Sequence, residues 1–414
     1  MKYYRFPETK LTKVLGYALM LVLLIFARDT LISNGLLGLQ KTQLVEFGLV
    51  GLIGLVFLIA KREEWKALFT DRRMLLFALS ALVVLLPMVV KRDWQLMYFS
   101  VFICVFFGIF LTYFTTLKEV ARCYVTVLSV LAAYSLLTAY VLRIPADMGL
   151  LPVPTFINGA GFEFYHFGLS TVPLDYVPHR NFGMFREPGI YQYFLILGLV
   201  LNNYEVQWDK GWKLWTANVI LAVTMVSTFA TGGLAELAIF VVLVFFDKKY
   251  YRTRAGRIAA ACVILGGIAL IAVSMATQSL LYEGIMENVR KIFTENDSNV
   301  ERVGAVSHNL GLVAGHPLVG ATIVQTLNDI PNNTSSTTIL FAVLGVLGGA
   351  FHVVSWVAMV WDRKRKMVTW LMLGLIMAMS FNTQNIIADL FFWLFPMMAV
   401  AEKCLPALNR RNKV

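Results

Sequence analysis

An all-α, polytopic membrane bundle of about twelve helices is the fold class this chain predicts, and three observations predict it. The 414 residues are 58% hydrophobic and only 15% charged, against about 45–50% apolar and about 25% charged in a soluble domain. The apolar residues are gathered into runs of roughly the 17–25 residues that span a bilayer as a helix. The charges between those runs are also sorted by sign.

The runs fall at 11–27, 44–60, 74–90, 96–114, 124–142, 188–203, 214–230, 233–246, 258–277, 338–361, 367–380 and 388–401. Helices suit them because helices satisfy every backbone hydrogen bond inside lipid. No alternating pattern of a membrane β-barrel is visible. The runs at 233–246, 367–380 and 388–401 are short and need tilt or burial. The first run follows basic residues as a signal peptide does. It lacks a small-residue cleavage site and is expected to stay as the first span.

With the N-terminus placed inside, 26 of the 36 Lys and Arg fall on the inner segments, and 10 on the longer outer ones. This is the positive-inside bias. It accounts for the net charge of +11 as topology, with no nucleic-acid partner. Both ends are then cytoplasmic. The four cysteines, Cys104, Cys123, Cys262 and Cys404, lie outside the outer loops and lack ligand spacing, so neither a disulfide framework nor a metal is implied.

The chain reads as one integral membrane domain, 1–414, with two long outer loops, at 143–187 and 278–337, expected to carry short amphipathic helices. Loops of this length are usually functional. The first is rich in aromatic residues, notably Phe162, Phe164, Tyr165 and Phe167. The second holds an amphipathic stretch, Leu280 to Phe293, expected to form a short helix at the membrane surface. Large loops on one side point to chemistry on the outer face.

Ionisable residues at membrane depth are costly and tend to face a bundle interior or a wet cavity. Glu46 and Asp389 open spans, where a helix dipole favours them. Glu236 lies a turn deeper and is a candidate cavity-lining residue, while His352 is expected to be a helix-packing histidine. Outside, Arg180, Arg186, Arg290 and Arg302 run against the charge bias. The planar guanidinium fork suits phosphate oxygens, and each also suits a surface salt bridge.

Two stretches concentrate the polar groups. In His179-Arg180-Asn181-Phe182-Gly183-Met184-Phe185-Arg186-Glu187-Pro188-Gly189, Pro188 fits the first turn of a helix and Glu187 its positive end. In the second, Glu301 and His308 share a helical face seven residues apart, and so do Arg302 and Asn309. His316 precedes Pro317 and is expected in a turn. An acid–histidine pair can orient a general base.

These stretches, with Ser227-Thr228…Thr231-Gly232-Gly233, His316-Pro317-Leu318-Val319-Gly320 and Gly345-Val346-Leu347-Gly348-Gly349, resemble the O-antigen polymerase and ligase superfamily, the Wzy-type polysaccharide polymerases and their ligase relatives. The likeness covers about residues 175–350. The chain departs where many ligases carry a His-Asn pair. It has Asn332-Asn333-Thr334-Ser335-Ser336 there. The resemblance implies glycosyl transfer at the outer face of a bacterial inner membrane. The partner would be an undecaprenyl-diphosphate-linked oligosaccharide, with a chain-length regulator and a flippase as further partners. It implies a metal- and cofactor-independent reaction. Arg180, Arg186, Arg302 and Arg290 would hold diphosphate, Glu187 or His316 would act as base or orienter, and Glu236 and His308 would line the cavity. The aromatic loop 162–167 would stack on sugars. An O-antigen ligase, or a flippase for the same lipid-linked units, are the alternatives.

Overall fold

The computed structural model describes residues 10–27, 30–31, 71–158, 161–175, 177–254, 297–330, 333–362, 365–382 and 384–404, with scattered positions in 45–59 and 257–286. The protein is mostly helical. In chain order the elements are α1 (Lys10–Ile25), α2 (Arg73–Lys91), α3 (Leu96–Leu111) and α4 (Leu117–Leu137). A π-helical turn, Thr138–Leu142, and a further helical turn, Arg143–Asp147, carry α4 onward. Then come β1 (Thr155–Ile157), β2 (Glu163–His166), β3 (Thr171–Pro173), α5 (Pro188–Tyr204), α6 (Gly211–Ser227) and α7 (Thr231–Asp247). The last helices are α8 (Asp297–Gly315), α9 (Ile323–Leu327), α10 (Ser336–Val360), α11 (Met367–Phe381) and α12 (Leu390–Ala399).

Ten of the twelve apolar runs coincide with these helices, while 44–60 and 258–277 lie mostly outside the described residues. Among the described residues three helical segments are long and apolar enough to cross a membrane: Arg73–Lys91, Leu117–Asp147 and Ser336–Val360.

The chain forms two compact units. One comprises Met1–Tyr124, Val300–Trp361 and Phe381–Val414, the other Val125–Asn299 and Asp362–Ser380. In the first unit α3 packs against α2 and α12, and α10 against α12 and α2. Gly108 permits the close approach of α3 to α12, since a Cβ there would stand 2.8 Å from Met397 Cβ and 2.9 Å from the Leu394 carbonyl. His352 is enclosed by Trp356, Phe381, Phe392 and Trp393, its ring stacked at 4.6 Å on Phe392. It is a packing histidine, as its position on an apolar helix suggests. Asp389 is the N-cap of α12, its Oδ1 accepting from the Phe391 N–H at 2.8 Å.

In the second unit α5 packs on α6 and α7. The loop at 143–187 departs from the expected short amphipathic helices. After the Arg143–Asp147 turn it is a three-stranded antiparallel sheet, β1-β2-β3. Alternating aromatics explain this. Phe164 packs inward against Phe156 and Phe182 at 5.6 and 5.4 Å between centroids, while Gly161 and Gly168 take positive φ between the strands. In the second loop the stretch 280–293 lies almost wholly outside the described residues. Its described parts are α8 and the short α9, whose Thr322–Gln325 capping box fixes its start.

Candidate functional site

In the second unit the Arg180–Glu187 stretch folds onto the turn between α6 and α7. Asn181 is the centre of the contact. Its backbone N–H donates to the Ser227 carbonyl at 2.9 Å. Its side-chain amide donates to Ser135 Oγ at 3.0 Å and Ser227 Oγ at 3.1 Å, and its Oδ1 accepts from the Gly183 N–H at 2.9 Å. Arg180 Nη2 donates to the Phe229 carbonyl at 3.0 Å, and His179 meets the Phe229 ring edge to face. Gly183 has φ +56, and a Cβ there would lie 2.6 Å from the Tyr191 ring. Two of the stretches that carry the resemblance are therefore joined by side chain and backbone.

The functional candidates sit differently around this anchor. Arg180 is half-buried and committed to a carbonyl. Arg186 and Glu187 have side chains 43% and 46% exposed and lie 3.9 Å apart, a geometry that contributes little to stability. Glu187 is the extended N-cap residue of α5, with Pro188 next, yet its carboxylate makes no capping bond. Both are therefore presented at a helix start where oriented N–H groups favour anions. Glu236 is fully buried on α7 and accepts from Gln192 Nε2 at 3.4 Å. Gly233 makes room for that amide, since a Cβ there would stand 2.6 Å from Gln192 Oε1. Glu236 thus has one oxygen bonded to a side-chain amide and the other, Oε2, buried without a hydrogen-bond partner among the described residues.

In the first unit the other two stretches of the resemblance also come together. Helix α10 is broken at Gly345, which has φ +69 and ψ −176. The segment after α8 fills the break. The Val346 N–H donates to the Pro317 carbonyl at 2.8 Å, and the Ala321 N–H to the Ala342 carbonyl at 2.6 Å. A helix break strands backbone groups, and Lys91 satisfies more of them. Its Nζ donates to the carbonyls of Ala321 and Val343 at 2.7 and 2.6 Å. Asp93 Oδ2 accepts from the Ile323 N–H at 2.8 Å. Sequence reasoning counted Lys91 only as an outer charge. The Gly-rich text of α10 was the available signal that a partner for freed carbonyls was needed.

Arg302 is half-buried and His316 exposed. His308 Nε2 lies 3.1 Å from the Gln325 carbonyl. Asn309, on the helix face of Arg302, is fully buried. It exchanges hydrogen bonds with Asn333 at 3.1 and 2.8 Å and donates to Thr338 Oγ1 at 2.8 Å. Asn333 stands in the Asn-rich stretch where the likeness to ligases breaks down. Arg290, Glu46 and Cys262 lie outside the described residues. No cluster of three or more His, Cys, Asp or Glu able to hold a metal occurs among the described residues.

No family model matches the chain, and neither the curated proteins nor the solved structures searched include a match.

Proposed function

We propose that the protein is a polysaccharide polymerase. In this reading it is a twelve-span protein of a bacterial inner membrane, with both termini in the cytoplasm. It transfers a growing glycan from undecaprenyl diphosphate onto a lipid-linked oligosaccharide repeat unit at the outer face. The observation that supports this best is the pairing of the four stretches on which the resemblance rests. Arg180–Glu187 is bonded to the Ser227–Phe229 turn, and His316–Gly320 is fitted into the break at Gly345.

The chemistry assigns roles to the residues. The acceptor hydroxyl attacks the anomeric carbon of the donor glycan. The bond from that carbon to the lipid diphosphate breaks, and the diphosphate leaves with the electron pair. Negative charge develops on the leaving group, so fixed cations are the main source of stabilisation. Arg186, half-exposed beside a helix start, and Arg302 take this part. Arg180 holds the turn on which Arg186 stands. The hydroxyl proton passes to Glu187 or His316, both of which reach solvent.

The test is an assay of the purified protein with synthetic lipid-diphosphate repeat units, read as a ladder on a gel. Arg186→Ala and Arg302→Ala should abolish the ladder while leaving the melting temperature near that of the wild type. Arg180→Ala should lower both. Transfer of a single finished glycan to a different acceptor would favour the ligase. Movement of intact units across proteoliposomes without any transfer would favour a flippase.

A further inference from the structure

The helical run that begins with α4 is too long for the membrane it is suited to cross. It extends from Leu117 to Asp147, 31 residues, or about 46 Å at about 1.5 Å per residue. A hydrocarbon core is about 30 Å thick. Tilt does not absorb the difference, because a typical tilt of about 20° shortens the projection by only a few ångströms. Lys118, Glu119 and Arg122 keep the first turns out of the core. The span is then filled by 123–142, and the turn Arg143–Asp147 emerges beyond it.

That emerging turn does not become polar on its outward side. Val130, Leu137, Val141, Ile144 and Met148 are all exposed, at steps of three, four or seven residues that place them on one stripe. The stripe therefore continues past the end of the span. Met148 and Leu150 are 68% and 75% exposed, as open as Val130 at 65% in the middle of the helix. The polar groups of this segment are bonded to each other and to the neighbouring loop, with the Asp147 carboxylate 46% exposed beside Arg143. Arg143 bonds Asp147 through Nε at 3.1 Å, its Nη1 donates to the Pro178 carbonyl, and its side chain is only 12% exposed.

We propose that residues 143–150 lie in the headgroup layer of the bilayer, with Ile144, Met148 and Leu150 against the acyl boundary. An amphipathic segment with one apolar face and a satisfied polar side takes that position. The occupant of the face is lipid, because the face continues the lipid-suited stripe of α4 without interruption. The bond from Arg143 to Pro178 carries the same depth to the turn that begins two residues later at Arg180. The guanidinium groups of Arg180 and Arg186 are thereby held near the level of lipid phosphates. The inference rests on α4 crossing a bilayer and stands whether or not the protein is a polymerase.

A benzophenone amino acid placed singly at 148 or 150, in the full chain in nanodiscs of phosphatidylethanolamine and phosphatidylglycerol, tests it. Position 130 serves as the lipid-facing reference and exposed position 209 as the aqueous one. After illumination, lipid adducts at 148 and 150 should match those at 130, with none at 209. Because these side chains are exposed, folding is undisturbed, and a monodisperse elution profile checks it. If 148 and 150 react like 209, or cross-link to the chain itself, the proposal is overturned.

Discussion

Replacing Gly345 with alanine isolates the cost of the break in α10. At φ +69 and ψ −176 the backbone is in a region almost exclusive to glycine, which costs another residue about 1–3 kcal/mol. The added Cβ would also stand 2.2 Å from the Leu318 carbonyl oxygen and 2.5 Å from its carbon. These are backbone atoms, so no rotamer change relieves the contact. The segment after α8 must move. With it weaken the bonds from Val346 to Pro317 and from Ala321 to Ala342, each contributing about 1 kcal/mol. The sum is about 3–5 kcal/mol, which corresponds to a fall in melting temperature on the order of 10 °C. The control is Gly374→Ala in α11, where a Cβ meets nothing within 4 Å. Alanine there should be neutral or stabilising by up to about 1 kcal/mol. Fluorescence-detected thermal melting of both variants in detergent decides the matter. If Gly345→Ala melts with Gly374→Ala, the account of the break is refuted.

Three further predictions follow from the same geometry. Lys91→Met removes two charge-assisted bonds to freed carbonyls and should cost about 2–4 kcal/mol; faster amide exchange in 316–323, partly restored in Lys91→Arg, would show it, and unchanged protection would refute it. His352→Phe should leave stability level or raise it, because His352 Nδ1 is buried without a hydrogen-bond partner inside an aromatic cage; a melting temperature several degrees lower would contradict the packing role. Asp71→Asn should destabilise at neutral pH. Burial pushes the Asp71 carboxyl up, but its bonds to Arg73 outweigh this and hold it below the ordinary 3.8. The stabilisation is present above that value and disappears as pH falls through the depressed one. The gap between wild type and Asp71→Asn should therefore close in acid, and a pH-independent gap would sink the argument.

The helices were legible because burial in lipid writes long apolar runs into the text, and ten of those runs lie on described helices. The three-stranded sheet was not legible. Its strands are three or four residues long, too short for an alternation to stand out from an aromatic-rich loop. At the candidate site, the glycines and arginines were readable as residue types, but their assignments depended on partners far along the chain. Asn181 is the clearest instance. Nothing local distinguishes it, and its role comes from Ser135 and Ser227, 46 residues away on either side. His308 is a second instance, since its Nε2 meets the carbonyl of Gln325, 17 residues on, a partner that helical spacing alone does not indicate.

The distribution of cations carries a second reading besides topology. A helix end in a low-dielectric environment leaves carbonyls that must find donors. This chain repeatedly supplies Lys or Arg. Lys91 serves Val343 at the break, and Arg180 serves Phe229 after α6. Arg365 reaches the Tyr204 carbonyl at the end of α5 at 2.7 Å, and Lys403 reaches Met359 in the last turn of α10 at 2.8 Å. A positive charge suits these sites twice over, as donor and as complement to the negative end of the helix. Cations used in this way are held by the fold, and a phosphate would have to compete with a backbone carbonyl for them. That consideration separates the arginines that the sequence had grouped together. Arg180 belongs with the helix-end cations and its loss is a folding defect. Arg186, nearly half-exposed and 3.9 Å from Glu187, reaches solvent, where an anionic ligand can approach it.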